Sequence, residues 1–342
     1  MARKGSAQDL ANCYALHELL RLPYPPTPVL PEMWRTLLSN GAMQLFLVED
    51  RARAAGSRIV SFGATVFVTD EFCSQARSTL PPYLGVELAR QYYASRRLLV
   101  LNRAQVARAN AGDGLNAVMC FEGCAENGFS REQYLAILEK QSEAFRLALR
   151  GYRLKEFLTD AIGREASRWM VDAGARLRRD YSNYFRRHNI PEPESWQRPR
   201  LLGLTKEEAL AHPGANLAGL FIYTAPRFRF NRSQRLLLQH ALMGETCEKA
   251  AASLFVSPWT VKKRWRTIYD RVADVDSELL PPRIACGPDA PSRGAERRRH
   301  LLNYLRQHLE ELRPYGPPPR MHRTAALGRR VIVSRCDPPI GT

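Results

Sequence analysis

FNRSQRLLLQHALMGETCEKAAASLFVSPWTVKKRWRTIYDRVA, residues 230–273, is the stretch on which the reading of this chain turns. A first helix is predicted from about Asn231 to Met243, with Leu237, Leu238, Ala241 and Leu242 on one face and Gly244 as its C′ residue. Thr246 caps a short second helix, about Cys247 to Leu254, whose inward side is Ala250, Ala251 and Leu254. Phe255-Val256 turns the chain. Ser257 caps a third helix, and Pro258 sits at its first position, where a missing N–H costs nothing. Val261, Trp265, Ile268 and Val272 then recur at intervals of four, three and four, one buried stripe. Lys262, Lys263, Arg266 and Thr267 are left on the outer face. A short helix, a tight turn and a helix with a cationic outer face spell a helix-turn-helix.

Over about 43 residues the segment resembles the LuxR-type (NarL/FixJ) helix-turn-helix. The residues that carry the likeness are Leu237-Leu238, Gly244, Thr246, Ala250-Ala251, Leu254, Val256-Ser257-Pro258, Thr260-Val261-Lys262 and Ile268-Tyr269. It departs from the family pattern at Leu236, Phe255, Trp259 and Trp265. The resemblance implies that Thr260, Lys262, Lys263, Arg264 and Arg266 touch bases or phosphates, and that a fourth helix mediates dimerisation. Backbone N–H groups at the Ser257 end can take a phosphate. With Trp259 and Thr267, these residues form the candidate DNA-binding set.

Upstream the pattern changes. Met43–Val48 (MQLFLV) is a continuous apolar run, and Arg58–Thr69 alternates, so Ile59, Ser61, Gly63, Thr65 and Phe67 share a face; Glu49–Ser57 joins the two as a hairpin. Leu115–Phe121 reads as a buried strand. Ser130 with Gln133 has the capping-box spacing, and the helix it opens, marked by Leu135, Leu138, Phe145 and Leu149, ends at Gly151. Tyr152–Leu158 is a strand, Arg164–Ala173 a helix closed by Gly174, and Arg176–Tyr184 a further strand. Residues 22–34, LPYPPTPVLPEMW, read as extended, residues 185–205 as a polar Pro-rich connection, and Asn216–Thr224 as a late strand. These elements describe a mixed sheet. Its Gly63-bearing hairpin and its strand–helix–Gly–strand between Gly151 and Tyr181 resemble the GNAT acetyltransferase fold. That resemblance implies acetyl-CoA held at a Gln/Arg-x-x-Gly-x-Gly/Ala turn. In FEGCAENGFSREQ, Gly123 and Gly128 are five apart and no Arg or Gln stands in that relation to them.

The expected fold class is therefore α+β: an α/β sensing or dimerisation domain over residues 1–225, an all-α LuxR-type head over 226–280, and an amphipathic helix (the Leu301, Leu305, Leu309, Leu312 stripe from Ser292) with a basic, partly disordered tail over 281–342. The chain has 342 residues, 51 Lys+Arg against 34 Asp+Glu, and a formal charge of +17. Such a surplus points to a polyanionic partner. No apolar run is long enough to span a bilayer and no secretory signal follows the start. Seven scattered cysteines fit reduced thiols in a cytoplasm, and Cys120 with Cys124 lacks the other half of a zinc site. His188, His212 and His240 stand apart from any nucleophile pattern. Arg176, Arg178 and Arg179 with Tyr181 and Tyr184 read as an edge strand with solvated charges.

The sequence-level expectation is a cytoplasmic, DNA-binding transcriptional regulator, not an enzyme, with no metal, cofactor or membrane. Its expected partners are double-stranded DNA, a second copy as a homodimer and an unknown small-molecule ligand of the first domain. The alternative is an acyltransferase-like enzyme carrying a DNA-binding appendage.

Overall fold

A computed structural model describes residues 1–19, 29–95, 99–125, 128–181, 183–281 and 293–316. Seven strands form one sheet: β1 (Ala2–Lys4), β2 (Met43–Glu49), β3 (Ile59–Val68), β4 (Leu115–Cys124), β5 (Leu154–Ile162), β6 (Arg176–Asp180) and β7 (Pro199–Thr205), in the order β1-β2-β3-β4-β5-β7-β6. Every neighbouring pair is antiparallel except β4 and β5, which run parallel. A parallel pair needs a crossover, and α6 (Arg131–Leu149) supplies it. Ser130 Oγ accepts from the Gln133 amide at 3.2 Å, the Gln133 side chain accepts from the Ser130 amide at 2.9 Å, and Gly151 stops the helix at φ 84°.

Two apolar layers cover the sheet. On one face α1 (Leu10–Glu18), α2 (Leu30–Ser39), α3 (Asp70–Ser78) and α4 (Leu84–Ser95) bury Trp34, Phe62, Phe72 and Phe121. On the other, α5 (Arg103–Ala111), α6, α7 (Gly163–Asp172) and α9 (Lys206–Ala211) enclose Phe46, Phe67, Phe145 and Phe157. A short helix, α8 (Tyr184–Arg187), follows β6. Strands β2 and β3 are buried along almost their whole length, so the alternation along β3 separates two cores rather than core from water.

Several expectations need correcting. Within residues 22–34 the part from Leu30 is helical, with Pro31 in the first turn of α2, where proline is tolerated; residues 20–28 lie outside those described. Pro199–Thr205 is not connecting loop but the interior strand β7, between β5 and β6, its proline confined to the first position. Asn216–Phe221 is a 3-10 turn, not a strand: Leu217 N–H donates to Ala173 O at 3.0 Å, and Leu217, Ala218, Leu220 and Phe221 close over the second core. Leu135 is 47% exposed; the inward face of α6 is Ile137, Ala144, Phe145 and Leu149.

Downstream, α10 (Arg232–Leu242), α11 (Cys247–Ser253), α12 (Pro258–Val275) and α13 (Arg293–Gln307) gather around a third core of Phe228, Phe230, Leu237, Leu238, Val261, Ile268, Val272, Leu301 and Leu305. Leu301, Leu305 and Leu312 thus pack inside this unit; Ser292 and the basic tail beyond Gly316 lie outside the described residues. A strap, residues 309–316, joins the two parts. The Glu311 carboxylate accepts from the Arg227 and Phe228 amides at 2.7 and 3.0 Å, Arg313 donates to Arg150 O and Leu147 O at 2.8 Å each, and Gly316 N–H donates to Ala107 O at 2.8 Å.

Candidate active site

Strands β4 and β5 stay paired only from Leu115↔Leu154 to Met119↔Thr159. Beyond that point β4 continues along β3 to Cys124 and β5 continues along β7 to Ile162, so the sheet parts between them. A bulge marks the parting. Ala64 pairs with Phe121 and Thr65 with Met119, which leaves Cys120 as the extra residue on β4, and a bulge bends its strand away from its neighbour. The cleft so formed is lined by His17, Tyr83, Gly85, Cys120, Glu122 and Asp160, among others, and its free volume is ≈ 20 Å³, room for about one water.

The first turn of α4 fills most of the split. Tyr83 adopts φ 67°, a left-handed backbone rare for a bulky residue, and its hydroxyl donates to Gln197 O at 3.0 Å. This turn directs the Leu84 N–H onto the Asp160 carboxylate. A side chain at Gly85 would stand 2.5 Å from Cys120 O, so only glycine lets the helix approach β4 this closely. On the opposite wall His17 Nδ1 lies 3.0 Å from Glu122 O. A carbonyl only accepts, so Nδ1 carries the proton, and burial lowers the ring's pKa, favouring the neutral form.

Two carboxyls give the cleft its chemistry. Burial pushes Glu122 up to about 7. Asp160 is also raised to about 7, chiefly by burial and further by the Glu122 charge, against the pull of the Leu84 amide. Among the described residues its Oδ1 has no hydrogen-bond partner, and the pKa of the buried Tyr181 hydroxyl is raised by burial and by Asp160. Burial raises the Cys120 thiol well above its ordinary value, so it is no ready nucleophile. The cleft therefore holds a neutral imidazole and two acids poised between their charged and neutral forms.

The sequence-predicted site residues lie elsewhere. Ser257 caps α12 through Thr260 N at 3.1 Å. Trp259, Lys262, Lys263, Arg266 and Thr267 are exposed on α12, with Thr260 and Arg264 half-buried. Lys263 Nζ stands 5.4 Å over the Trp259 ring, while α13 lays Arg298 over Trp265 and Arg297 over Tyr269. Among the described residues no group of three or more His, Cys, Asp or Glu could hold a metal. His188 stacks on Tyr184, His212 lies beside Arg176 and His240 pairs with Glu245 at 3.0 Å, all outside the cleft. On the edge strand β6 the arginines are engaged rather than solvated: Arg178 pairs with Glu208 and Arg179 donates to Leu80 O. His17, Glu122 and Asp160 were missed. The usable signal was a carboxylate inside each of two apolar strand runs, VMCFEGC and FLTDAI, since a buried charge says more than a surface one.

No family model matches the chain, and neither does any curated protein. Solved structures do match. They include the C-terminal condensation domain of Ebony in complex with beta-alanyl-dopamine (TM-score 0.37, 12% identity, 60% of this chain and 98% of that one). A spermidine N-acetyltransferase chimera from Vibrio cholerae SpeG and hSSAT gives TM-score 0.35 and 11% identity over 61% of this chain and 97% of that one. An agmatine N-acetyltransferase gives 0.35 and 16% over 60% and 98%. What the structure itself shows is a mixed seven-stranded sheet with flanking helices.

The expectation of a LuxR-type, DNA-binding transcriptional regulator without enzymatic activity is corrected here, and with it double-stranded DNA as the expected partner. None of the comparisons supports a LuxR-type head. The physical reason the sequence misled is that a capped helix with an apolar stripe and a cationic outer face is also what any solvated helix of a basic protein presents. No helix among the described residues is long and apolar enough to cross a membrane.

Proposed function

We propose that the chain is an acyl-group transferase whose acceptor is an amine and whose donor is an acyl thioester lodged where β4 and β5 part. The observation that carries this reading is the pair of carboxyls held near neutrality in that split. An amine reaches acyl transfer by giving up a proton, and a base with a pKa near the working pH takes it most effectively. Glu122, on the more open wall, is assigned that role. The amine nitrogen attacks the thioester carbonyl, its proton passes to the Glu122 carboxylate, and the C–S bond breaks to release a thiolate that takes up a proton from solvent. Beyond Met119 the edge of β4 that faces the split has no strand partner among the described residues, and its N–H groups suit the developing oxyanion.

At the start of α6 the capping box occupies the Ser130 and Gln133 amides. Opening the cleft requires the first turn of α4 to leave Asp160, and protonation of Asp160 weakens the contact that holds it.

The test is a panel of acyl-CoA thioesters and small polyamines, read by thiol release and by thermal shift. Acyl transfer that disappears in Glu122→Gln with the fold intact is the expected result. If no thioester raises Tm at millimolar concentration and no thiol is released, the reading fails.

A further inference from the structure

Away from the cleft, five cations from four parts of the chain meet where the α/β part, the strap and the helical unit come together. Lys4 ends the edge strand β1, paired opposite Phe46. Arg103 is the first residue of α5, Arg232 and Arg235 stand in the first turn of α10, and Arg313 belongs to the strap. The floor is Tyr152, buried, with the Arg313 guanidinium 4.7 Å from its ring centroid.

Among the described residues none of these five makes a salt bridge. The hydrogen bonds of three of them go to neutral groups, and Arg313 also meets the Tyr152 side chain. Arg103 donates to Ser39 O at 3.1 Å, Arg235 to Phe230 O, and Arg313 to the carbonyls that end α6. Carbonyl contacts fix where a guanidinium points without cancelling its charge. The charges also act on one another. Burial and the Arg313 and Arg103 charges bring Lys4 down to about 8, and Arg103 and Arg235 are lowered by burial and by neighbouring arginines. Among the described residues Glu310 is the carboxylate whose charge is felt at Arg313, one against five cations, and it also lies 2.8 Å from His308 Nδ1.

Other arginines of the α/β part do have carboxylates: Arg3 has Asp9 and Glu49, Arg77 has Glu156, and Arg178 has Glu208. Like charges gathered in a partly dry site repel unless an anion joins them.

We propose that this junction binds a small phosphorylated anion, gripped by Arg103, Arg232 and Arg235 with Lys4 on its exposed side and Arg313 behind. A phosphate chain supplies the oxygens that several fixed guanidinium forks require. Arg313 is only 8% exposed, Arg103 and Arg235 are half-buried, and Lys4 and Arg232 are exposed, so the site has a closed back and an open mouth that suits a compact ligand better than an extended polymer. Bound there, the anion ties the α/β part to α10 and draws the two together.

The experiment titrates the full chain with inorganic triphosphate and, separately, with ATP, following heat and Tm at about 0.15 M salt, where surface charges are largely screened. Wild type gains Tm with either or both. Equal affinities assign recognition to the phosphate chain, and tighter ATP binding extends the site to a nucleoside. The double variant Arg103→Gln, Arg235→Gln binds on the order of 100-fold more weakly, about tenfold for each guanidinium removed from the phosphate oxygens, and without ligand it melts at or above wild type because repulsion is relieved. Arg266→Ala, on the exposed face of α12, binds as wild type does.

Four results would each overturn the proposal. One is the absence of any Tm gain at about 10 mM of either anion. Another is a double variant that titrates like wild type, or melts well below it without ligand, as purely structural arginines would require. A third is equal weakening by Arg266→Ala. The last is a short DNA duplex that displaces the triphosphate through the same two arginines.

Discussion

The α/β part and the helical unit handle charge in opposite ways. In the α/β part, carboxylates lie inside the sheet: Glu156 is buried against Arg77, Asp160 receives the Leu84 amide, and Glu122 stands in the open end of the cleft. In the helical unit the core is Phe, Leu, Val, Ile, Ala and Trp265, and the cations of α12 face water. Its buried carboxylate, Glu311, is engaged by the Arg227 and Phe228 amides at the strap. The lesson is that a large net charge locates solvent, while a small number of displaced carboxyls locates chemistry. A carboxyl raised to about 7 can do acid–base work near neutrality.

The comparison breaks first at Glu122. Replacing it with Gln should cost acyl transfer about 100- to 10,000-fold, the usual worth of a positioned base. The wild-type rate should rise as pH climbs through about 7, where the base form accumulates, and the residual rate of the variant should be flat. A variant that keeps both rate and pH profile would remove the chemical distinction between the two regions.

Next come the cores. Phe157→Ala should destabilise the α/β part by about 3–5 kcal/mol and Ile268→Ala the helical unit by about 2–5 kcal/mol, from lost burial and the cavity left behind. Calorimetry should show each change lowering mainly the transition of its own region. Equal loss across the whole melt would mean that the strap makes the two cores one cooperative unit.

The pH dependence of stability sharpens the contrast further. Asp160 binds its proton in the folded chain up to about pH 7, whereas in an unfolded chain it titrates near its ordinary 3.8. Between those values the native state holds more protons, so stability falls as pH rises from about 4 to about 7 and stays low above. The loss is of the order of 4 kcal/mol at about 1.36 kcal/mol per pH unit. Asp160→Asn, compared with wild type by denaturant unfolding at several pH values, should flatten the decline. A wild type whose stability rises over that range would contradict it.

The smallest effect tests the join itself. Gly151 has φ 84°, and a side chain there would stand 2.5 Å from Glu310 N. Gly151→Ala should cost more than about 1 kcal/mol, and it should loosen the strap, seen as faster amide exchange at Arg313 and Gly316 with little change inside α12.

Much of the local structure was legible. Ser130, Asn231, Thr246 and Ser257 are the kind of residues that cap helices, and each accepts the expected backbone hydrogen bond. The runs MQLFLV and LNAVMCF could hardly be other than buried strands. Where the reading failed, local chemistry was ambiguous. Pro199 and the polar residues before it hid β7, whose place was settled by pairing on both sides with β5 and β6. Asn216–Phe221 has strand-like composition, but its apolar side chains were needed to close the second core. Residues 70–111 offered no reading, although they carry the helix that fills the cleft.

The site shows the same limit more sharply. Sequence alone determined the capped helices, the apolar strand runs and the cationic surplus, because caps, periodicity and charge are local and additive. Only the tertiary structure decided that β4 and β5 part after Met119 and Thr159, that Gly85 brings α4 against Cys120, and that residues as distant as His17, Glu122 and Asp160 line one cleft. Burial is set by what packs around a group, so the shift that turns an ordinary carboxyl into a base belongs to the assembled fold and to no segment of it.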